Sequence, residues 1–176
     1  MKFLPTPLAG AFTIDLVPVS DDRGYFARAW CSSSLREHGL NPNVTQLNVA
    51  FSHTKGTLRG MHYQRAPHAE AKLVRCTRGS VYDVVIDLRP ESATRGRWHG
   101  VELCQDKHRS LYVPEGFAHG YQTLSDDTEI QYLTTASYAP AAATGVRYDD
   151  PAFHITWPLP VTVISLADRN WQAYSP

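Results

Sequence analysis

The run Gly56–Gln64, GTLRGMHYQ, sets an arginine and a histidine among glycines and apolar residues. A strand that only packed would not choose Arg59 and His62 as companions for Leu58 and Met61. A guanidinium offers a planar fork to phosphate or carboxylate oxygens, and an imidazole moves protons near neutral pH. Strict alternation would put Arg59 and His62 on opposite faces, whereas a bulge at Gly60 would bring both to one. A second histidine, His119, ends the turn-like run Pro114–His119, PEGFAH, and is delivered into the strand GYQTL. Two imidazoles on facing strands can hold a divalent ion only with further ligands. Gln64 stands two positions after His62, where a ligand pair would need histidine, and His68 and Glu70 fall in the loop segment APHAEA. No metal site is expected, and acid–base chemistry is the better fit. Asp83, mid-strand in SVYDVVIDL, shares a face with Val81, Val85 and Asp87. Either that face is wet or Asp83 has a cationic or hydrogen-bonded partner.

The elements that must carry these residues are strands. AFTIDLVPV, VTQLNVAFS, GTLRGMHYQ, KLVRCTRG, SVYDVVIDL, WHGVELC, SLYVP, GYQTL, EIQYLTT and GVRY are short and rich in β-branched and aromatic residues, with Gly, Pro, Asp or Ser between them. That pattern predicts an all-β sandwich or barrel. Two helices are expected, one in CSSSLREHGL with a serine N-cap and Gly39 as C-cap, the other in LADRNWQAY. The 176 residues, 43% hydrophobic and 19% charged, suit one domain spanning 1–176. Lys plus Arg equals Asp plus Glu at 17 each, so no global field draws the chain to nucleic acid or a membrane surface. Anion binding must come from local arginines. Cys31, Cys76 and Cys104 read as free thiols of a reducing compartment. MKFLPTPLAG is too short and proline-broken for a secretory signal, and no apolar run reaches membrane-spanning length. A cytoplasmic protein is expected.

With His62 and PEGFAHG placed, the chain resembles the sugar-nucleotide epimerases typified by dTDP-4-dehydrorhamnose 3,5-epimerase. The resemblance runs from DDRGYF through GTLRGMHYQ, AKLVRCTRGSVYDVVIDLRP, LYVPEGFAHGYQTL, the Tyr132 strand, Tyr138-Ala-Pro and GVRYDDPAFHITWP to LADR. It implies a cupin-type jelly roll with a few short helices and a nucleoside diphosphate 4-keto-6-deoxyhexose as substrate. It also implies epimerisation at C3 and C5 through an enolate, with no cofactor. By the same resemblance His62 is the base, paired with Asp168. Lys72 is the cation facing the enolate oxygen, a contribution on the order of 3 kcal/mol. Tyr132 is the acid of the opposite face. Taken alone, Tyr132 reads equally as a core aromatic, Lys72 as a surface lysine and Asp168 as a cap. Arg23 and Arg59 resemble the diphosphate contacts, and His119 lies near phosphate or sugar. Phe26, Gln46, Asn48 and Tyr138 fall where the nucleoside is held. The family's N-terminal strand crosses to a neighbour, which implies a homodimer in which Arg23 and Phe26 serve the partner's pocket.

The chain departs from the family pattern at three places. Arg28 replaces a Glu after the aromatic of RGxFxE, QLNVAFS replaces Q-D/E-N-x-S, and Ala143 and Thr144 stand where a Glu is usual. These bear on the nucleotide and sugar, and leave the acid–base set whole. Epimerisation at C3 or C5 alone, on a related nucleotide-linked 4-keto sugar, is the nearest alternative. A metal-dependent cupin oxygenase and a non-catalytic sugar-sensing cupin are the readings from other classes.

Overall fold

The computed structural model describes residues 1–175. In chain order the elements are β1 (Lys2–Pro5), β2 (Phe12–Asp15), β3 (Val19–Asp21), β4 (Gly24–Phe26), α1 (Ser32–Glu37), β5 (Gln46–Ser52), β6 (Thr57–Gln64) and β7 (Lys72–Arg78). They continue with β8 (Ser80–Asp87), β9 (Trp98–Cys104), β10 (Arg109–Val113), β11 (Phe117–Thr123), β12 (Thr128–Thr134), β13 (Ala143–Gly145), β14 (Val163–Ile164) and α2 (Leu166–Arg169). One sheet has the order β1-β2-β10-β7-β12-β5, and the second runs β13-β6-β11-β8-β9, with β14 alongside β6. This is an all-β, cupin-type jelly roll with two short helices.

Alternation explains how the sheets meet. Val74 and Cys76 of β7, Ile130 of β12 and Leu111 of β10 point inward from the first sheet. Val81 and Val85 of β8 with Phe117 and Tyr121 of β11 meet them from the second. Val84, Ile86, Ala118 and Met61 pack on the other face of the second sheet, beneath Val146 and Phe153. The same inward positions change character along the strands. Toward one end they become Gln46, Asn48, Lys72, Tyr132 and His62, which line a cavity rather than a core.

The register of β6 on β11 is the feature that sets this end apart. His62 pairs with His119 and Arg59 with Tyr121, so three steps along β6 match two along β11. The extra residue puts Arg59 and His62 on one face, as a bulge would. Gly60 sits at φ +124, and the Gly60–Met61 peptide is cis. A Cβ at Gly60 would fall 2.6 Å from Gly120 Cα and 2.8 Å from the His119 carbonyl oxygen. Only glycine fits both the dihedral and the contact.

Elsewhere the structure differs from the sequence expectation. GVRY is not a strand as a unit; β13 lies earlier, at Ala143–Gly145, where it pairs with Gln64–His62. α1 begins after Cys31, which occupies the cap position without a side-chain capping bond, so no serine caps the helix, while Gly39 at φ +70 follows its C-terminus. The C-terminal helix is one turn, Leu166–Arg169, capped by Ser165 Oγ accepting from the Asp168 N–H. The strands β1, β3 and β4 were too short to stand out. Asp83 is fully buried, so the solvated alternative for its strand face is overturned in favour of a partner. No helix among the described residues is long and apolar enough to cross a membrane.

Gly60→Ala should destabilise the fold by about 2 kcal/mol or more through backbone strain and the Gly120 contact. Thermal melting checks this. An unchanged melting temperature would show that the β6 distortion does not need glycine.

Candidate active site

The cavity lies between the sheets, has a volume of about 700 Å³, and collects residues from both. β6 of one sheet contributes His62 and Gln64, while β5, β7 and β12 of the other contribute Gln46, Asn48, Lys72 and Tyr132. α2 brings Asp168, and the loop after β12 brings Tyr138. A smaller recess continues inward past Arg59, His119 and Tyr121.

His62 Nε2 lies 2.6 Å from Asp168 Oδ1, and Asp168 Oδ2 accepts the Gly60 N–H at 3.2 Å. Burial alone would raise the Asp168 carboxyl, but the His62 ring and the Gly60 and Ser165 contacts hold it below the usual carboxylate range. With Nε2–H committed to this carboxylate, Nδ1 is the basic nitrogen of His62. Its side chain is 44% exposed, so it is open to a ligand.

His119 makes a second imidazole–carboxylate pair, Nε2 to Asp83 Oδ1 at 2.9 Å, and is only 8% exposed. The two histidines are cross-strand partners, and His62 is the more accessible of the two. Asp83 Oδ2 and Tyr121 Oη are buried without a protein partner. Burial chiefly pushes the Tyr121 phenol up to about 12. Arg59 is oriented by bonds from Nε to Ser52 Oγ and from Nη2 to the Phe51 carbonyl, 3.2 and 2.9 Å.

Tyr132 faces His62 from the opposite sheet. Burial raises its pKa, the Glu70 charge adds to the effect, and Arg59 opposes it. Lys72 is buried beside Glu70, with Nζ 3.2 Å from Oε1. Gln64 is a cross-tie for the loops: Nε2 donates to the His68 and Ser137 carbonyls and to Glu70, and Oε1 accepts from the Ala139 N–H.

Two residues, expected to serve a partner's pocket, lie outside this one. Arg23 and Phe26 stand on the β3–β4 hairpin, outside the residues lining this cavity; Phe26 is 71% exposed and Arg23 pairs with Asp21. Arg28 is also exposed. Of the β5 departure, Leu47 points outward but Ala50, in the place of the usual serine, lines the inner recess, and Ala143 and Thr144 line the cavity. Sequence reasoning placed Glu70 only in a loop and missed Trp171, whose ring meets His62 edge-on at 6.3 Å. The available signal was Gly145, where a Cβ would fall 2.5 Å from the Trp171 ring.

Comparison with known proteins agrees with this architecture. The family model described as dTDP-4-dehydrorhamnose 3,5-epimerase matches residues 5–175. The protein of that name from Methanothermobacter thermautotrophicus is 41% identical over 174 residues, covering 97% of this chain and 93% of its own. The Bacillus anthracis dTDP-4-dehydrorhamnose 3,5-epimerase, solved with TDP and PPi bound, superposes with a TM-score of 0.94 at 35% identity. That match covers 98% of this chain and 99% of the other. A 3'-monoepimerase from Streptomyces bikiniensis in complex with dTDP-quinovose gives 0.88 at 36% identity, covering 96% and 86%. With residues 5–175 matched by the family model and nearly the whole chain matched by relatives in sequence and fold, the chain belongs to the dTDP-4-dehydrorhamnose 3,5-epimerase family.

Proposed function

We propose that this protein converts dTDP-4-dehydro-6-deoxy-D-glucose to dTDP-4-dehydro-L-rhamnose by inverting C3 and C5, without a cofactor. The observation that carries the reading is the placement of His62 and Tyr132 on opposite walls of one cavity. Inversion of a carbon next to a ketone needs a base on one face of the sugar and an acid on the other. His62 Nδ1 takes the proton on C5 or C3, the electron pair of the C–H bond becomes the C=C bond of the enolate, and the carbonyl π pair moves onto the C4 oxygen. Asp168 fixes the tautomer and stabilises the imidazolium that forms. The Lys72 ammonium faces the enolate oxygen, where a preorganised charge acts strongly because water is excluded. Tyr132 then gives its proton to the opposite face of the same carbon, and the ketone re-forms. A phenol suits this step because an enolate is a stronger base than a phenolate.

Arg59, held by Ser52 and Phe51, takes the diphosphate, with His119 beside phosphate or sugar. Gln46, Asn48 and Tyr138 hold the nucleoside. The exposed Phe26, together with Arg23 on the same hairpin, supports a homodimer in which these two residues complete the partner's pocket. The alternative is inversion at one carbon alone, as the name of the Streptomyces bikiniensis relative states for that protein.

Proton NMR of the product from dTDP-4-keto-6-deoxyglucose decides between them: both centres should invert, and inversion of one alone would select the alternative. Tyr132→Phe should lower formation of inverted product by about 100-fold or more; full activity would remove Tyr132 from the role of acid. For the shared site, Arg23→Ala and His62→Ala homodimers should each be inactive. A mixture after subunit exchange should regain about a quarter of wild-type activity, because half the dimers are mixed and carry one intact site. No gain on mixing would place Arg23 outside the partner's pocket.

A further inference from the structure

Glu70 lies in the loop before β7 with its side chain only 11% exposed and lining the cavity. Its two oxygens are both engaged. Oε1 is 3.2 Å from Lys72 Nζ, and Oε2 accepts from Gln64 Nε2 at 3.3 Å. Gln64 cannot swing away, because its amide also binds His68, Ser137 and Ala139. The carboxylate is therefore fixed against the one ammonium in the cavity, and no step of the proposed reaction consumes it. A buried ion pair is a poor way to gain stability, so its placement calls for another reason.

We propose that Glu70 is a positioning residue of this site, anchoring the Lys72 ammonium and setting the alkaline limit of activity through its charge. The inference rests on the reading given under Proposed function. The groups facing Tyr132 are Arg59 and His62 from β6, Lys72 from β7, His119 and Tyr121 from β11, Asp168 from α2 and Glu70. Asp83 of β8 stands behind His119. Asp168 pairs with His62, Asp83 with His119 and Glu70 with Lys72, and of the three it is the Glu70 charge that adds to burial in raising the Tyr132 phenol. An anion beside a phenol disfavours the phenolate. That effect keeps the acid protonated as the pH rises, while the ion pair holds the Lys72 ammonium in place. The same negative charge weakens the pull of Lys72 on an enolate oxygen, so Glu70 widens the working pH range rather than raising the peak rate.

The test is the pH profile of kcat/KM on dTDP-4-keto-6-deoxyglucose for the wild type, Glu70→Gln and Glu70→Asp. Glu70→Gln should move the alkaline limb to lower pH by about one unit and leave the acid limb in place. Glu70→Asp, which keeps the charge but withdraws it, should move the same limb in the same direction by a smaller step. It also carries the test should Glu70→Gln not fold. A uniform loss of rate at every pH with an unmoved alkaline limb would overturn the proposal and make Glu70 a packing residue. A wild-type protein that leaves the substrate unchanged would instead overturn the proposed function itself.

Discussion

The extra residue that β6 carries at Gly60 is inseparable from the carboxylate of Asp168, which accepts the Gly60 N–H with one oxygen and holds His62 with the other. A buried carboxylate is costly without such partners, and a strand distorted in a sheet interior is costly without a place for its backbone donor. Each defect resolves the other. The distortion brings Arg59 and His62 to one face, and the carboxylate then engages Nε2 of His62. α2 is only one turn long, but Ser165 caps it at Asp168 itself, so the residue is placed by both its side chain and its N–H.

From that constraint follows a division of labour between the sheets. The second sheet presents the imidazole, and the first presents Tyr132 and Lys72 from adjacent strands. The gap between them is filled by side chains at one end and left open at the other. In the proposed chemistry a flat enolate would occupy that gap, with a proton acceptor on one side and a donor on the other. His119 and Asp83 make a similar pair on the neighbouring strands, but that pair is buried whereas the His62 ring is open to the cavity.

Much of this was legible in the residues. GTLRGMHYQ announced a site strand because its polar residues had no packing reason, and Gly60 marked where the register would break. Gln64 told against a metal-ligand pair, and the structure gives it a different task, joining two loop carbonyls and one loop N–H around Glu70. Other parts were hidden for physical reasons. The partner of Asp83 lies 36 residues away in sequence, and local alternation cannot name it. Trp171 follows a helix too short to show a period. Glu70 sits in a loop, where neither the 3.6-residue nor the two-residue repeat reports which way a side chain points. Tyr132, Lys72 and Asp168 each had a bland reading in isolation, and their roles came from resemblance; the structure brings all three to the cavity that holds His62.

The central claim is that the His62 imidazole, poised by Asp168, removes the protons flanking the C4 ketone. Deuterium incorporation tests it most directly, since exchange reports proton removal whether or not the carbon inverts. Wild-type protein incubated in deuterium oxide with dTDP-4-keto-6-deoxyglucose should place deuterium at C3 and at C5, read by NMR. His62→Ala, shown to be folded by its melting curve, should place it at neither above the rate in buffer. Exchange at wild-type rate in the His62→Ala protein would contradict the account, because the base would then have to be another group.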